Sequence, residues 1–304
     1  MKDGINVLSL FDGIGCGQIA LERAGIKVCN YFACEIDKHA IKVAQHNYPN
    51  TIQLGNVSDL KVETLPKIHL LIGGSPCQGF SFAGKQLNFE DPRSKLFFEY
   101  VRILKEIRTV NPDVKFLLEN VRMKKEYLDI ISLHLGVEPI MINSSLVSAQ
   151  NRARYYWTNI PNIKQPEDKN ILLSDILELP PGDGYDASSL DTKVDLPEGW
   201  EKYVPDNLPD YCDPYNKSEI KGYKSNTLRT NPNNGNMWVR YNNRYRNLTR
   251  KECERLQTVP DDYTAVISSP KAKKCLGNGW TVDVIAHIFS SLSELNIIGS
   301  NGNN

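Results

Sequence analysis

The sequence predicts an α/β protein, a mostly parallel doubly wound sheet of Rossmann-like type with a small irregular lobe attached, and three observations carry that prediction. Short apolar runs alternate with stretches of helical period through the first half of the chain. Glycines crowd the turn after the first apolar run, and the alternation fades beyond about Pro161.

Ile5-Asn6-Val7-Leu8-Ser9-Leu10-Phe11 reads as a buried strand, and after the glycine-rich turn Ile19, Ala20, Leu21 and Ala24 mark a first helix. A second strand spans Val28 to Cys34, and further apolar runs stand at His69 to Ile72 and Val114 to Leu118. Helical stretches near Asp37 to Asn47, Lys95 to Arg108 and Tyr127 to Leu135 separate or follow them. Strands joined through helices lie parallel, because the crossover returns the chain to the same end of the sheet. Past Pro161, Pro, Gly, Asn and Asp become frequent, which suggests a less regular lobe up to about Arg246. Val282 to Leu295, with apolar Val282, Ile285, Ile288, Phe289 and Leu292, has the spacing of a helix packed on a core and is expected to rejoin the first domain. A polar tail covers 299–304.

A chain of 304 residues with 40% hydrophobic content supports one large core and a second small lobe. Its 36 Lys and Arg balance 36 Asp and Glu, so no global positive field announces a polyanionic partner. Charge is segregated locally: Asp183 to Asp213 is acidic, whereas Lys217 to Arg255 is basic and interleaved with Trp238, Tyr241 and Tyr245. The basic stretch reads as a phosphate-facing surface, the alternative being two solvated faces. Seven scattered cysteines without a CxxC pair fit a reducing, cytoplasmic compartment and make a structural zinc site unlikely to be needed; no metal is expected. No leader-like start and no membrane-length apolar run is visible, so no membrane partner is expected.

Gly13, Gly15 and Gly17 sit between the first strand and helix, where missing side chains let a ligand approach the backbone. Glu35 closes the second strand, where a carboxylate can accept ribose hydroxyls. Together they suggest an adenosine-containing cofactor, and the absence of GxGxxG spacing favours S-adenosylmethionine over NAD. A plain tight turn beside a surface Glu is the alternative. Gly73-Gly74-Ser75-Pro76-Cys77-Gln78-Gly79-Phe80-Ser81 places a cysteine on a loop after a strand, a poor place to bury a small hydrophobe and a good one for a nucleophile. Phe116 to Val121 is a strand ending in Glu119-Asn120, which either faces Cys77 or caps the next helix.

Pro76-Cys77-Gln78, Glu119-Asn120-Val121 and Gln150-Asn151-Arg152-Ala153-Arg154, in this order, resemble the DNA cytosine C5 methyltransferase family. Phe11-Asp12-Gly13-Ile14-Gly15, Phe89 to Arg93, Leu248 to Gln257 and Gly277-Asn278-Gly279 are similar to further blocks of it. Val7 to Ile14 and Leu71 to Cys77 look like the animal de novo branch, and Gln78 to Phe98 like bacterial and phage enzymes. The resemblance implies a catalytic domain of 1–158 and 247–298 and a target-recognition lobe of 159–246. It implies Cys77 as nucleophile, Glu119 at the cytosine ring, and Arg152 and Arg154 holding base, loop and phosphate with support from Gln150.

Cofactor contacts carried over by the resemblance fall on Phe11, Gly13, Gly15, Glu35, Ile36, Asn56, Val57, Pro76, Leu96 and Asn278. Asn56 departs from a common Asp, Ile36 from a frequent aromatic and Gly279 from a frequent Ser. Gln78 and Ser81 are expected at the substrate, and Ser225-Asn226-Thr227-Leu228 resembles the family's Thr-Leu element, which brings Thr227, Arg229 and Arg240 to the DNA side. The implied partners are S-adenosylmethionine, leaving as S-adenosylhomocysteine, and duplex DNA; a cognate restriction endonuclease is a further partner the resemblance allows. An RNA-modifying relative and a catalytically silent DNA binder are the competing readings, the latter opposed by the intact Cys77, Glu119 and Arg154 set.

Overall fold

A computed structural model describes residues 4–75, 95–179, 194–195, 210–213, 218–219, 223–230, 238–241 and 244–294. Its internal contacts divide the chain into two compact units, one of Met1–Asn143, Ala153–Pro166 and Val282–Asn304, the other of Ser144–Arg152 and Glu167–Thr281.

The first unit holds a seven-stranded sheet of β1 (Ile5–Leu10), β2 (Val28–Cys34), β3 (Ile52–Gln53), β4 (Leu70–Gly74), β5 (Lys115–Val121), β6 (Ile140–Asn143) and β7 (Ala153–Thr158), in the order β3-β2-β1-β4-β5-β7-β6. The first five strands pair in parallel, whereas β7 runs antiparallel to both β5 and β6. The chain starts mid-sheet, works outward to β3 and returns to β4 beside β1, so the strand order reverses between β1 and β4. Such a reversal leaves a crevice at the strands' C-terminal ends.

Helices α1 (Cys16–Arg23), α2 (Lys38–Asn47), α3 (Lys95–Val110) and α4 (Lys125–Leu135) accompany this sheet. Leu8 and Leu10 of β1 join Phe32, Leu71, Phe116 and Leu118 in a core that includes Phe97, Tyr100, Ile103, Leu104 and Ile107 of α3. Val7 and Ser9, on the opposite side of β1, are buried too, as expected of a parallel strand covered on both faces. Asp37 begins α2 by accepting the His39 N–H at 2.8 Å, and Gly136 in left-handed conformation ends α4.

The second unit carries α5 (Leu173–Ile176), α6 (Arg250–Leu256), α7 (Ser269–Asn278) and a small antiparallel sheet. That sheet orders β8 (Val194–Asp195), β9 (Tyr211–Asp213), β10 (Ser218–Glu219), β11 (Trp238–Tyr241) and β12 (Arg244–Asn247) as β10-β9-β11-β12-β8. The lobe is therefore more regular than its sequence suggests. Strands of two to four residues are too short to display alternation. The last helix, α8 (Val282–Glu294), belongs to the first unit, where it packs on α1 and Asp283 pairs with Arg23 at 2.6 Å.

One buried ion pair organises the start of α6. Arg246, 1% exposed, binds Glu252 through two hydrogen bonds, 2.8 and 2.9 Å, while Glu252 is fully buried. The same carboxylate accepts the Thr249 and Glu178 N–H groups, and Arg246 also donates to the Leu179 carbonyl. Thr249 returns a bond to the Glu252 N–H and completes a capping box. Substituting Glu252→Ala strands the guanidinium without a counter-ion and is expected to cost about 3–5 kcal/mol in denaturant unfolding. A loss under about 1 kcal/mol would show that the pair is not what holds this corner.

Candidate active site

Most of the described site residues predicted in the first unit gather at the C-terminal ends of its parallel strands. Phe11 leaves β1 with φ +58°, and Gly13 (φ +62°) and Gly15 (φ +81°) follow, a path that glycine tolerates at no steric cost. A Cβ placed on Gly13 would meet nothing within 4 Å, so this turn leaves open space beside the backbone. Glu35, just past β2, fixes the turn by accepting the Gly13 N–H at 2.8 Å through Oε2. Its Oε1 accepts the Ile36 and Asp37 N–H groups at 2.7 and 2.8 Å. The Ile36 side chain stands 75% exposed beside it.

Past β3, Asn56 accepts the Ser58 N–H through Oδ1 at 3.1 Å and so caps a short turn at Val57–Asp59, with Val57 buried in the core. Leu96 lies in the first turn of α3, partly buried against the same core. Asp12 was not among the predicted residues, yet it is the most perturbed acid of this edge. Burial pushes its carboxyl up from 3.8 to about 6, against the lowering effect of hydrogen bonds from Tyr31 and Ser9. The Tyr31 hydroxyl donates to Oδ1 at 2.7 Å, while the buried Oδ2 has no hydrogen-bond partner. The only sequence signal was its place between Phe11 and Gly13.

Glu119 and Asn120 lie within β5, which excludes the helix-cap alternative; the cap position of α4 is Lys124 instead. Asn120, buried, donates through Nδ2 to the Ser75 hydroxyl at 3.1 Å and accepts its neighbour's Val121 N–H. Ser75 stands two residues before Cys77 in the chain, so the strand bearing Glu119 is tied to the root of that loop. Glu119 pairs with Arg154 of β7 at 3.0 Å, each side chain 12% exposed, a screened but solvent-reachable carboxylate beside a guanidinium. Pro76, Cys77, Gln78 and Ser81 lie outside the described residues.

The other cysteines are poor nucleophiles. Cys16, Cys34, Cys212, Cys253 and Cys275 are buried, and burial pushes the Cys34 thiol up to about 12. Half-exposed Cys29 sits at the start of β2, the opposite edge of the sheet from Glu35. Among the described residues no group of three or more His, Cys, Asp or Glu could hold a metal ion. Nor is any described helix long and apolar enough to cross a membrane.

Gln150 and Arg152 belong to the second unit. Gln150 is fully buried: its Oε1 accepts the Leu228 N–H at 2.6 Å, and its Nε2 donates to the Leu256 carbonyl at 3.0 Å and to Gln257. Arg152, 4% exposed, donates to the carbonyls of Leu228, Gly277 and Gly279 at 3.3, 3.3 and 2.9 Å. Its guanidinium thereby brackets exposed Asn278 at the end of α7. A Cβ on Gly277 would fall 2.6 Å from the Arg229 backbone, so only glycine lets that segment pass. Thr227 donates its hydroxyl to the Asn151 carbonyl at 2.8 Å, and Arg229 is half-buried nearby in sequence.

The basic stretch Lys217 to Arg255 is corrected by the structure, since several of its cations are spent on carboxylates of the same unit. Arg240 pairs with Asp210, Arg246 with Glu252, Arg250 and Lys251 with Asp262, and Arg255 with Asp261. These acids are 6 to 30 residues away in sequence, which is why a linear charge pattern reads as an open basic face.

A sequence model of the C-5 cytosine-specific DNA methylases matches residues 5–294. The chain belongs to that family. Type II methyltransferase M.NlaX of Neisseria lactamica is 29% identical over 307 residues, covering 94% of this chain and 95% of that protein. Orphan methyltransferase M.SPRI of Bacillus phage SPR is 37% identical over 167 residues, 51% of this chain and only 38% of the phage protein. A solved structure of a DNA modification methyltransferase encoded within an E. coli prophage superposes with a TM-score of 0.70 at 22% identity, covering 96% of this chain and 99% of that one. At that identity the superposition establishes the fold, and the methylase assignment rests on the family match. The methyl group of this family's reaction comes from S-adenosylmethionine.

Asp12 gives this edge a pH signature. A carboxyl whose folded value is raised to about 6 contributes stability that is present below pH 4 and lost as pH rises through 6. Asp12→Asn keeps an acceptor for Tyr31 and removes the charge, so at pH 8 it is expected to be more stable than the parent by on the order of 1–3 kcal/mol. At pH 4 the gain should vanish; a gain of equal size at both pH values would rule out the buried charge as its source.

Proposed function

We propose that this methylase transfers a methyl group to C5 of a cytosine flipped out of duplex DNA, with Cys77 as nucleophile and S-adenosylmethionine as donor. The observation that carries the reading is the Glu119–Arg154 pair at the end of β5, beside β4, the strand that leads to Cys77. A base drawn into such a site meets an acid, a cation and a thiol together.

The first unit suits the donor. A carboxylate offers about four acceptor positions, and Glu35 uses three on backbone N–H groups, so one remains for a ribose hydroxyl. Gly13 and Gly15 leave the backbone bare in the turn before α1, Ile36 offers an exposed apolar side chain, and Asn56 and Val57 stand at the next strand end. With Phe11, Leu96, Pro76 and Asn278 they form the proposed cofactor contacts. When bound, S-adenosylmethionine supplies a methyl group attached to a positively charged sulfur.

Cytosine C5 is too weak a nucleophile to react unaided. The Cys77 thiolate adds to C6, and the electron pair displaced from the C5–C6 bond is made available at C5 as Glu119 protonates or hydrogen-bonds N3. C5 then takes the methyl group. Transfer of the C5 proton to a water molecule acting as base leaves its electron pair to reform the C5–C6 double bond, which expels the cysteine as thiolate. Arg154 orients Glu119 and adds positive charge that favours thiolate over thiol at Cys77. Arg152 and Gln150 hold the loop that leads into Arg154. Extracting the base costs a few kcal/mol, offset by contacts to DNA, and the proposed substrate contacts are Gln78 and Ser81 of the Cys77 loop and Thr227, Arg229 and Arg240 of the recognition lobe of 159–246.

We place the enzyme in the cytoplasm on DNA, in a restriction-modification setting, a reading supported by relatives named type II methyltransferases, and a cognate endonuclease is the partner proposed with it. Incubation with labelled S-adenosylmethionine and mixed-sequence duplex DNA should give 5-methylcytosine in one short recurring context, with tRNA unlabelled. Cys77→Ala is expected to lower the rate at least about 1,000-fold while DNA binding persists. Label in tRNA alone would move the assignment to RNA, and label in neither acceptor would make the protein a silent DNA binder.

A further inference from the structure

The basic residue that the methylase reading leaves unused is Lys224. It stands one residue before the Ser225 to Leu228 element and forms no ion pair among the described residues. Its Nζ instead donates to three backbone carbonyls, those of Ile171 at 2.6 Å, Ser145 at 2.8 Å and Ser148 at 3.2 Å. An ammonium has three hydrogens, and all three are spent. Lys224 is thus closed to phosphate, whatever its place in the basic stretch.

What those carbonyls belong to gives the arrangement its meaning. Ser145 lies in the short turn Ser144–Leu146 that opens the loop 144–152, Ser148 follows that turn, and the same loop carries Gln150 and Arg152. Beyond Lys224 the two segments run together as a parallel bridge at Gln150 and Ser225. Ser225 N–H donates to the Ala149 carbonyl at 2.6 Å, and Asn151 N–H to the Ser225 carbonyl at 2.7 Å. Thr227 and Leu228 add bonds to Asn151 and Gln150. The ammonium sits at the head of this ladder. Without it, three carbonyl dipoles converge with no positive charge between them, and the loop loses the contact that sets its register.

We infer that Lys224 is a positioning residue for methyl transfer, holding the loop of Gln150 and Arg152 in register with the Thr227 segment of the recognition lobe. The inference rests on the catalytic reading of that loop given above. It implies that the lobe presenting the target and the loop leading to Arg154 move as one piece. A displacement of about 1 Å at groups near the chemistry can cost on the order of 100-fold in rate, so decoupling should appear in turnover before it appears in binding.

The test uses the full chain, S-adenosylmethionine and a mixed-sequence duplex synthesised with 5-fluorocytosine. Fluorine at C5 cannot leave as the proton does, so each competent enzyme stays covalently attached through Cys77. The amplitude of trapping counts folded sites and its rate reports positioning. Lys224→Met is expected to reach the parental amplitude at a rate about 10- to 100-fold lower, with KM for S-adenosylmethionine within about twofold. Lys224→Arg, which keeps a cation with several donors, should recover to within about fivefold of the parent. Trapping by Lys224→Met at the parental rate overturns the inference, as does a loss confined to amplitude, the mark of a merely structural lysine. A parental enzyme that traps no DNA sinks the methyltransferase reading, and the inference with it.

Discussion

Parallel strands joined through helices all finish on one edge of a sheet, and the chemistry of this protein depends on that constraint. The turn after β1, Glu35 after β2, Asn56 after β3, Ser75 after β4 and Glu119 near the end of β5 are scattered over more than 100 positions of sequence. Nothing but common strand direction brings them to one edge. The antiparallel β7 then adds what a parallel strand could not. Its first residues, not its last, reach that edge, so Arg154 arrives beside Glu119 directly from the loop 144–152.

The second unit solves a different problem, the burial of cations. Arg246 is neutralised by a carboxylate, whereas Arg152 and Lys224 are surrounded by carbonyl oxygens. Carbonyl oxygens accept from these cations without adding a negative charge. The same economy of donors explains Gly277: the Arg229 backbone must come close for the Leu228 carbonyl to reach Arg152, and a side chain at 277 would hold it off.

Much of the first unit was legible in the sequence because its signals are long and periodic. Strands at Ile5 and Val28 and the helix from Lys95 carry enough apolar residues to announce themselves, and the Glu-Asn and Arg-x-Arg segments bear residue types that chemistry requires. Asp12 was not legible as perturbed, since its shift comes from burial beside Tyr31, 19 residues away. The small sheet of the second unit escaped notice because strands of two to four residues are too short to establish an alternation. Charge misled for the opposite reason: Arg250 and Arg255 look free in a linear stretch, and Asp262 and Asp261 neutralise them only once the chain has turned after α6. Lys224 was counted as one more positive charge, because backbone carbonyls, the groups it binds, are the same at every position of a sequence.

The placement of α8 bears on how the chain is made. Arg23 of α1 meets Asp283 of α8 across 260 positions, and the whole second unit, 144–152 and 167–281, is synthesised between them. The sheet of the first unit has all its strands once Thr158 has emerged from the ribosome, but the layer containing α1 stays open until α8 has followed. During that interval Val282, Ile285 and Phe289 do not yet exist to cover their neighbours, and the nascent first unit exposes apolar surface that the finished protein hides. Cotranslational folding therefore covers α1 only when α8 is delivered, and a helper that shields α1 during translation would be most needed in that window.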